Sequence, residues 1–240
     1  MSLESFYKEA MALNTMKDME QRKNAAKAFF EKLNKTPMPE NFNWAAEIFE
    51  GLHVKERGDQ KALIWTDLDT DAERQFTYKE LAANGNKFLN FIRKKGVEKG
   101  CNLYMLSPIV PETWFASFAA LKGGLVAVPT ATTMTEREIQ FRFEAYKPDV
   151  IVCFDKLTGL VDDALKKANC TPKAKIILGQ KEGWISYTDI DKESDKADAA
   201  QVKSTDVLFC FFTSGTTGLP KRGCRCNSIC GTISTSIMRN

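Results

Sequence analysis

The sequence predicts an α/β fold in which helices are layered on a largely parallel β-sheet. Two observations lead to this fold class. Short apolar runs, which are typical of strands buried on both faces of a sheet, alternate with longer segments of helical pattern. Capping residues, prolines and glycines mark where several of the helical segments begin or end. Strands and helices that alternate in this way form a sheet covered by helices.

The predicted helices carry local start signals. Thr77 with Glu80, and Thr135 with Glu138, have the spacing of a capping box, in which each residue accepts a hydrogen bond from the backbone of the other. Pro111 suits the first turn of a helix, where the amide hydrogen that it lacks would have no partner. In chain order, helices are predicted over residues 13–33 without interruption, 43–56, 77 to a stop at 96, 111–122, from 135 onward, and 157–168.

The predicted strands are short and apolar. In chain order they cover residues 62–65, 101–106, 125–128, 150–154, 175–178 and 207–212. Cys101, Cys153 and Cys210 lie inside these runs and are interpreted as small core residues. A charged loop over residues 191–205 leads into the last strand.

The most informative segment of the chain comes directly after the last predicted strand. It contains Thr213, Ser214, Gly215, Thr216, Thr217, Gly218 and Lys221. The glycines let the backbone turn tightly, so that its amide groups can converge on an anion. The hydroxyl groups add hydrogen-bond donors, and the lysine adds a positive charge. The pattern therefore predicts a phosphate-binding loop that the preceding strand holds in place.

Two common phosphate-binding motifs do not fit this segment. A Walker A loop has four residues between its glycines and continues into a helix, whereas two residues separate Gly215 from Gly218, and Pro220 disfavours helical angles at Leu219. A dinucleotide-binding fingerprint also requires a helix at this point. A plain hairpin turn is the remaining alternative. It is disfavoured because such a turn does not require so many donors together with a lysine.

Residues 213–221, Thr-Ser-Gly-Thr-Thr-Gly-Leu-Pro-Lys, match the AMP-binding signature of the adenylate-forming superfamily residue for residue. Residues 76–81 and 123–129 also resemble the N-terminal half of that superfamily. Residues 128–135 with Arg137 are more similar to medium-chain acyl-CoA and acetyl-CoA synthetases than to luciferases. The resemblance runs from about residue 41 to residue 221, and it implies an incomplete N-terminal domain of an adenylate-forming enzyme.

The resemblance implies an AMP-forming acid–CoA ligase. In such enzymes a carboxylate attacks the α-phosphate of MgATP, which gives an acyl-adenylate and pyrophosphate, and coenzyme A then displaces AMP to form a thioester. The implied cofactors are ATP, Mg²⁺ and coenzyme A, and the implied partner is a small-molecule carboxylic acid. The resemblance assigns residues 213–218 to contact with the β- and γ-phosphates and Lys221 to charge steering.

Other functional elements of the superfamily lie beyond residue 221 in the relatives. They include the catalytic lysine and the acidic residue associated with magnesium, so neither a catalytic residue nor a metal ligand is assigned here. We therefore expect a truncated ligase that is inactive by itself. Two alternatives stay open at this point: a non-catalytic fragment or nucleotide-binding module, and an adenylation domain whose acyl acceptor is not coenzyme A.

The sequence suggests three parts: a helical extension over residues 1–40, a partial AMP-binding domain over 41–221, and a tail over 222–240. The tail departs from the family and carries three arginines but no acidic residue. It is interpreted as the product of a shifted reading frame, with a genuine divergent tail as the alternative. Its three cysteines have neither an evident fourth ligand nor the spacing of a zinc site.

Charge and hydropathy exclude several classes of function. The chain has 34 basic and 31 acidic residues, and without the three arginines of the tail the two counts are equal. A neutral body argues against nucleic acid as a partner. No apolar run approaches the about 18 residues of a membrane span, and no signal pattern opens the chain. We expect a cytoplasmic protein without integral membrane contact.

The lone histidine and one aromatic cluster are interpreted as structural. A single histidine, His53, supports neither a multi-histidine metal site nor a Ser-His-Asp triad. We expect it to be partly exposed on a helix that Asn43 caps. Trp114, Phe115 and Phe118 fall at helical spacing and are expected in the core.

Overall fold

Nine β-strands lie within the residues that the computed structural model describes, which are 3–37, 39–213 and 221–226. In chain order they are β1 (Lys61–Thr66), β2 (Glu73–Thr77), β3 (Asn102–Leu106), β4 (Val126–Pro129), β5 (Val150–Cys153), β6 (Ala174–Ile177), β7 (Ile185–Ser186), β8 (Val207–Thr213) and β9 (Lys221–Cys226).

Seven α-helices lie in the same ranges, together with one π-helical segment and two short 3₁₀ turns. The helices are α1 (Leu3–Thr15), α2 (Met19–Lys35), α3 (Lys55–Arg57), α4 (Tyr78–Lys94), α5 (Pro111–Gly123), α6 (Glu136–Ala145) and α7 (Thr158–Lys167). The π-helical segment is Ala45–Val54, and the 3₁₀ turns are Asp155–Leu157 and Tyr187–Lys192.

Seven strands form the main sheet, in the order β7-β6-β5-β3-β4-β8-β9. The neighbouring strands are parallel except for β8 and β9, which are antiparallel. Helices connect the parallel strands, with α5 between β3 and β4, α6 between β4 and β5, and α7 between β5 and β6. A separate antiparallel pair consists of β1 and β2. The predicted fold class, helices on a largely parallel sheet, is confirmed.

Helices cover both faces of the sheet. Leu103 and Met105 of β3 belong to a core cluster with residues of α4 and α5, whereas Tyr104 and Leu106 pack with residues of α6 and α7. Successive side chains of a strand point to opposite faces, so a strand that is covered on both faces is apolar at every position. This is why the central strands could be recognised as continuous apolar runs.

Both predicted capping boxes form. The amide of Glu80 donates to Thr77 Oγ1 (3.2 Å), and the amide of Thr77 donates to the Glu80 carboxylate (2.8 Å). The same reciprocal pair links Thr135 and Glu138 at the start of α6. Strand β2 was not predicted, because it contains no apolar run and most of its residues are exposed.

The N-terminal residues form two helices, so the prediction of one uninterrupted helix over 13–33 is wrong. The chain leaves helical geometry after Thr15, and the Asp18 carboxylate caps α2 by accepting from the amide of Gln21 (2.9 Å). A side-chain acceptor of this kind can begin a new helix without a glycine or proline nearby. The two helices pack through Phe6 and Phe29, whose ring centroids lie 6.0 Å apart.

A glycine is required where the segment before β8 crosses the end of α5. Gly124 has a φ of 66° and follows the last residue of α5. A Cβ at this position would lie 2.5 Å from Cγ1 of Val202, inside normal contact distance. The amide of Ala200 donates to the carbonyl oxygen of Lys122 (2.9 Å). The residues that lead into β8 are therefore packed directly on the helix end.

Candidate functional site

Strands β8 and β9 flank the predicted phosphate-binding loop. Their antiparallel ladder pairs Thr213 with Lys221 and Phe211 with Gly223. The chain therefore reverses direction between β8 and β9, and Lys221 begins a returning strand rather than a helix. The strand predicted over residues 207–212 is confirmed, and it ends one residue later than expected.

The structure brings together the two ends of the predicted site. Thr213 is the last residue of β8 and Lys221 is the first residue of β9, so they are neighbours at the carboxyl end of β8. The other predicted site residues lie outside the described residues. They are Ser214, Gly215, Thr216, Thr217 and Gly218. Their contact with phosphate stays a prediction.

Residues 222–226, which the sequence analysis placed in an atypical tail, belong to the sheet. They continue β9 and pair with β8 from Phe212 opposite Arg222 to Val207 opposite Cys226, with a shift in register between Val207 and Phe209. Strand pairing depends on backbone hydrogen bonds and accepts many sequences. The origin of the tail in a shifted reading frame therefore stays a prediction.

The carboxyl ends of β3, β4 and β8 meet at one edge of the sheet. β4 is parallel to β3 on one side and to β8 on the other, with Ala127 opposite Phe209. Thr130 follows β4 directly and is buried. Its amide donates to the carbonyl oxygen of Met105 (3.0 Å), and its hydroxyl donates to that of Val128 (3.1 Å). Ligands of open α/β sheets bind at this edge.

A buried arginine lies behind the end of β8. Arg142 of α6 is 5% exposed, and its Cζ lies 5.2 Å from the centroid of the Phe212 ring. Its Nη1 donates to the carbonyl oxygen of Glu138 (2.8 Å), and its Nε has no hydrogen-bond partner among the described residues. Burial lowers the pKa of Arg142, because less water solvates the guanidinium. The group stays charged at neutral pH.

Tyr104 of β3 fixes the helix that carries this arginine. Its hydroxyl lies 2.7 Å from the carbonyl oxygen of Tyr146 and 3.1 Å from that of Arg142, so its single proton is shared between these two acceptors. Its ring contacts Phe143 edge-on, with centroids 5.2 Å apart. Burial raises the pKa of Tyr104 far above its ordinary value, so the phenol remains a neutral donor.

A buried polar network holds the segment that leads into β8. Lys122 is 3% exposed, and its Nζ donates to the Glu50 carboxylate (2.7 Å) and to Asn86 Oδ1 (2.8 Å). Asn86 Nδ2 donates to the carbonyl oxygen of Asp195 (2.9 Å). The sequence analysis missed this network, because its members lie far apart in the chain.

Asn43 extends the same support. Its Oδ1 accepts from the amide of Ala46 (3.2 Å), as expected of a helix cap. Its Nδ2 donates to the carbonyl oxygens of Lys122 (2.9 Å) and Ala200 (3.0 Å). One side chain thus joins the π-helical segment, α5 and the residues before β8.

His53 is buried, so the expectation that it is partly exposed is wrong. It is 6% exposed because Tyr7 of α1 and Arg57 enclose it. Arg57 donates to Nδ1 (2.9 Å), and since a guanidinium cannot accept, the ring proton is on Nε2, which donates to Tyr7 Oη (2.8 Å). Burial, and secondly the charge of Arg57, lower the pKa of His53 to about 4. The histidine is a neutral structural bridge.

A cavity of about 500 Å³ adjoins His53, α5 and Phe209 of β8. Phe115 and Phe118 are buried, as predicted, but Trp114 is 48% exposed, so its assignment to the core is wrong. Trp114 lines this cavity, which helical spacing alone could not show.

No group of three or more His, Cys, Asp or Glu side chains within the described ranges could hold a metal ion. In those ranges, no helix has the length and apolar character needed to cross a membrane.

A family model described as AMP-binding enzyme matches residues 52–223. The match covers more than half of the chain and includes β8, the start of β9 and the loop sequence between them. This chain belongs to the AMP-binding enzyme family. The resemblance inferred from the loop sequence is thereby confirmed.

Two sequence relatives show which members of the AMP-binding enzyme family this chain is similar to. It is 39% identical over 181 residues to 4-hydroxybutyrate–CoA ligase 1 of Metallosphaera sedula, in an alignment that covers 75% of this chain and 31% of the relative. It is 30% identical over 194 residues to the mitochondrial acyl-coenzyme A synthetase ACSM3 of Homo sapiens, covering 78% and 33%. The chain thus spans about a third of the length of these curated relatives.

Solved structures of AMP-binding enzymes share the fold. Acetoacetyl-CoA synthetase from Streptomyces lividans superimposes with a TM-score of 0.73 at 22% identity, over 83% of this chain and 32% of that one. The anthranilate CoA ligase AuaEII, in complex with anthranoyl-AMP, gives 0.71 at 23% identity, over 79% and 36%. The fold is that of the adenylate-forming enzymes, and the sequence relatives support an AMP-forming acyl-CoA ligase family.

Proposed function

We propose that this chain supplies the phosphate-binding part of an AMP-forming acid–CoA ligase, which converts ATP, a carboxylate and coenzyme A to acyl-CoA, AMP and pyrophosphate. The observation that carries the proposal is the β8–β9 hairpin. Its ladder pairs Thr213 with Lys221, so the ends of the loop sequence meet at the carboxyl end of a parallel strand. A loop fixed at both ends by a sheet is suited to hold an anion in one place.

The loop residues would act by stabilising the negative charge of the bound phosphates. Backbone amides and hydroxyl groups of residues 213–218 would donate to the β- and γ-phosphates, and Lys221 would offset their negative charge. Attack of the carboxylate on the α-phosphorus makes pyrophosphate the leaving group, whose charge the same donors stabilise. Mg²⁺, which enters with ATP, would neutralise further phosphate charge when bound.

The substrate, the cofactors and the site of action are proposed from the similarity to the family. The substrate would be a small-molecule carboxylic acid, with ATP, Mg²⁺ and coenzyme A as cofactors and no nucleic-acid partner, and the site of action would be the cytoplasm. The chain would divide into residues 1–40, 41–221 and 222–240, with residues 222–226 of the last part completing β9 of the sheet. We also propose that a polypeptide of these 240 residues does not complete CoA ligation, because positioning of all reactants contributes many orders of magnitude to such rates.

Binding of inorganic pyrophosphate and MgATP to the 240-residue chain tests the proposed site. Titration calorimetry is expected to show binding that Lys221→Met weakens by about tenfold. Lys17→Met removes an equal charge from an exposed position before α2, and it is expected to leave the affinity unchanged. A chain that binds neither ligand, or that binds both equally well without Lys221, would contradict the proposal.

Carboxylate-dependent ATP–pyrophosphate exchange tests the reaction itself. The 240-residue chain is expected to give no exchange above the Lys221→Met background. Exchange above that background would overturn the proposed inactivity, and analysis of the acylated product would then decide between coenzyme A and another acceptor. Tight nucleotide binding without any exchange would also fit the alternative of a nucleotide-binding module.

A further inference from the structure

A cavity of about 620 Å³ lies beside the carboxyl ends of three parallel strands. Val110 follows β3, Phe154 follows β5 and Leu178 follows β6, and all three residues line the cavity. The connection from β3 leads through α5 to β4 on one side, whereas the connection from β5 leads through α7 to β6 on the other side. Neighbouring strands whose connections diverge in this way leave a crevice between them, where ligands of open α/β sheets bind. We call this cavity the β3–β5 crevice.

The Tyr187 hydroxyl at the β3–β5 crevice lacks a hydrogen-bond partner. Tyr187 lines the crevice, its hydroxyl oxygen is buried, and no described residue forms a hydrogen bond with it. Its ring is held against that of Phe88, with centroids 5.9 Å apart. Burial, and then the charges of Glu112 and Asp191, raise the pKa of Tyr187 well above its ordinary value, whereas Arg74 lowers it. The hydroxyl is therefore a neutral donor, and buried donors are normally satisfied.

An ion pair in the wall of the crevice offers a donor beside an acceptor. Nη1 of Arg74 in β2 lies 2.7 Å from Oε1 of Glu112 in α5, and both residues line the crevice. A guanidinium has five N–H donors and a carboxylate has about four acceptor sites, so each partner can also bind a ligand. Asp191 is the other charged residue of the lining, which leaves one excess negative charge and disfavours an anion.

We infer that the β3–β5 crevice binds a neutral planar ligand that carries a carboxamide or lactam group. The carbonyl oxygen of such a group would accept from Tyr187 and Arg74, and the adjacent N–H would donate to Glu112. The planar body would lie against the aromatic rings in the lining, which include Phe76 and Phe154. No residue of the phosphate-loop sequence is part of the lining. The inference is therefore independent of the proposed function, and a failure of pyrophosphate binding would leave it standing.

Three probes of the same shape test this ligand class on the full 240-residue chain. At pH 7 benzamide is neutral, benzoate is an anion and benzamidine is a cation. Benzamide is expected to bind in the millimolar range, as small fragments do. Benzoate is expected to bind at least about fivefold more weakly because of the negative lining, and benzamidine likewise because it offers Tyr187 no acceptor. Equal or tighter binding of either charged probe would overturn the inference.

Nuclear magnetic resonance locates the bound probe. Titration of the isotope-labelled chain with benzamide is expected to shift the backbone amide signals of residues 110, 154 and 178–180 most strongly. These residues follow the three strands that end at the crevice. The strongest shifts at any other part of the chain, such as the cavity beside His53, would overturn the inference.

Two tyrosine-to-phenylalanine variants separate binding from stability. Tyr187→Phe removes a hydroxyl that has no partner in the free protein, so it is expected to weaken benzamide binding about tenfold without lowering the midpoint of urea unfolding. Tyr104→Phe is the matched control, because Tyr104 packs on the opposite face of the sheet and its hydroxyl bonds to backbone carbonyls. It is expected to lower the midpoint and leave the benzamide affinity unchanged. Equal benzamide affinities of Tyr187→Phe and the parent chain would overturn the inference.

Glu112→Gln decides the matter if Tyr187→Phe does not fold. The Glu112 side chain is 18% exposed, and glutamine keeps an acceptor oxygen while removing the negative charge. The variant is expected to bind benzoate to within about twofold of benzamide, because the excess negative charge of the lining is gone. An unchanged preference for benzamide over benzoate would overturn the inference.

Discussion

Nζ of Lys122 lies 2.7 Å from both carboxylate oxygens of Glu50. The ammonium is buried, and Asn86 Oδ1 accepts its next hydrogen bond at 2.8 Å. Asn86 also donates to the carbonyl oxygen of Asp195. One ion pair thereby connects the π-helical segment, α4 and α5 with the residues that lead into β8.

Loss of this ion pair is expected to destabilise the fold. Lys122→Met leaves the Glu50 carboxylate and Asn86 Oδ1 without their cation, which should lower the free energy of unfolding by about 3 kcal/mol. Urea unfolding followed by circular dichroism measures the change. The control is Lys94→Met, since Lys94 pairs with Glu193 at 2.7 Å but is largely exposed. That variant should lose less than about 1 kcal/mol, and equal losses in both would contradict the prediction.

Stability is expected to fall with acid because of His53. Its folded pKa of about 4 lies below the ordinary value of 6.5, so the unfolded chain binds the extra proton more readily. The neutral ring therefore stabilises the fold fully above pH 6.5, and this contribution is lost as the pH falls from 6.5 through 4. Arg57 opposes protonation of the ring and Glu56 favours it. The loss is expected to be on the order of 2 kcal/mol.

His53→Gln isolates this titration. His53 is the only histidine of the chain, so the variant should show an unfolding free energy that is nearly independent of pH between 5 and 6.5. The parent chain should show a positive slope with pH over the same interval. Parallel profiles for the two proteins would mean that His53 does not titrate as its buried contacts with Tyr7 and Arg57 require.

The fold could be predicted where its signals are local. Thr77 and Glu80 lie three residues apart, and their capping box could be recognised without knowing any other part of the chain. Strand β2 was not predicted, because a polar and exposed strand has no apolar pattern in the sequence. The break between α1 and α2 was not predicted, because no glycine or proline marks it. The structure instead has a single side-chain hydrogen bond there, from the amide of Gln21 to the Asp18 carboxylate at the start of α2. The capping residues and the strand patterns act locally, and the elements that could be predicted are those whose pattern of apolar residues reflects burial.

In the candidate site, too, some residues could be predicted from the sequence and others could not. The loop from Thr213 to Lys221 could be recognised because its glycines, hydroxyl groups and lysine are contiguous. The positions of Arg142 and Lys122 could not be predicted from the sequence, because each contacts a residue that is distant in the chain. Arg142 packs against the ring of Phe212, and Lys122 forms an ion pair with Glu50. In the sequence both are ordinary helical cations. Only packing shows that they are buried.

The capping box of α4 is expected to contribute measurably to stability. Thr77→Ala removes the acceptor for the Glu80 amide and should lower the free energy of unfolding by about 1 kcal/mol. Thr77→Ser keeps the hydroxyl and should retain most of the stability. Thermal unfolding of the two variants makes the comparison. Equal losses would show that the methyl group, and not the hydrogen bond, is responsible.

Glycine-to-alanine changes at two control positions, Gly159 and Gly96, separate backbone strain from steric contact at Gly124, which lies against the segment that leads into β8. Gly159 lies in α7 without positive φ and without a neighbour within 4 Å, so Gly159→Ala should be neutral or stabilising by up to about 1 kcal/mol. Gly96 has a φ of 75° and open space around it, so Gly96→Ala should cost about 1 kcal/mol from strain alone. Gly124→Ala adds a 2.5 Å contact with Val202 to a φ of 66°, and should cost about 3 kcal/mol.

The Gly124 variant should also affect ligand binding, because relief of its contact displaces Val202 and the residues that lead into β8. We expect Gly124→Ala to weaken pyrophosphate binding and Gly96→Ala to leave it unchanged, when both are measured under conditions where the proteins are fully folded. The reason is that only the first change moves the strand on which Thr213 is fixed opposite Lys221. Unchanged affinity in Gly124→Ala would show that the loop tolerates movement of the preceding segment.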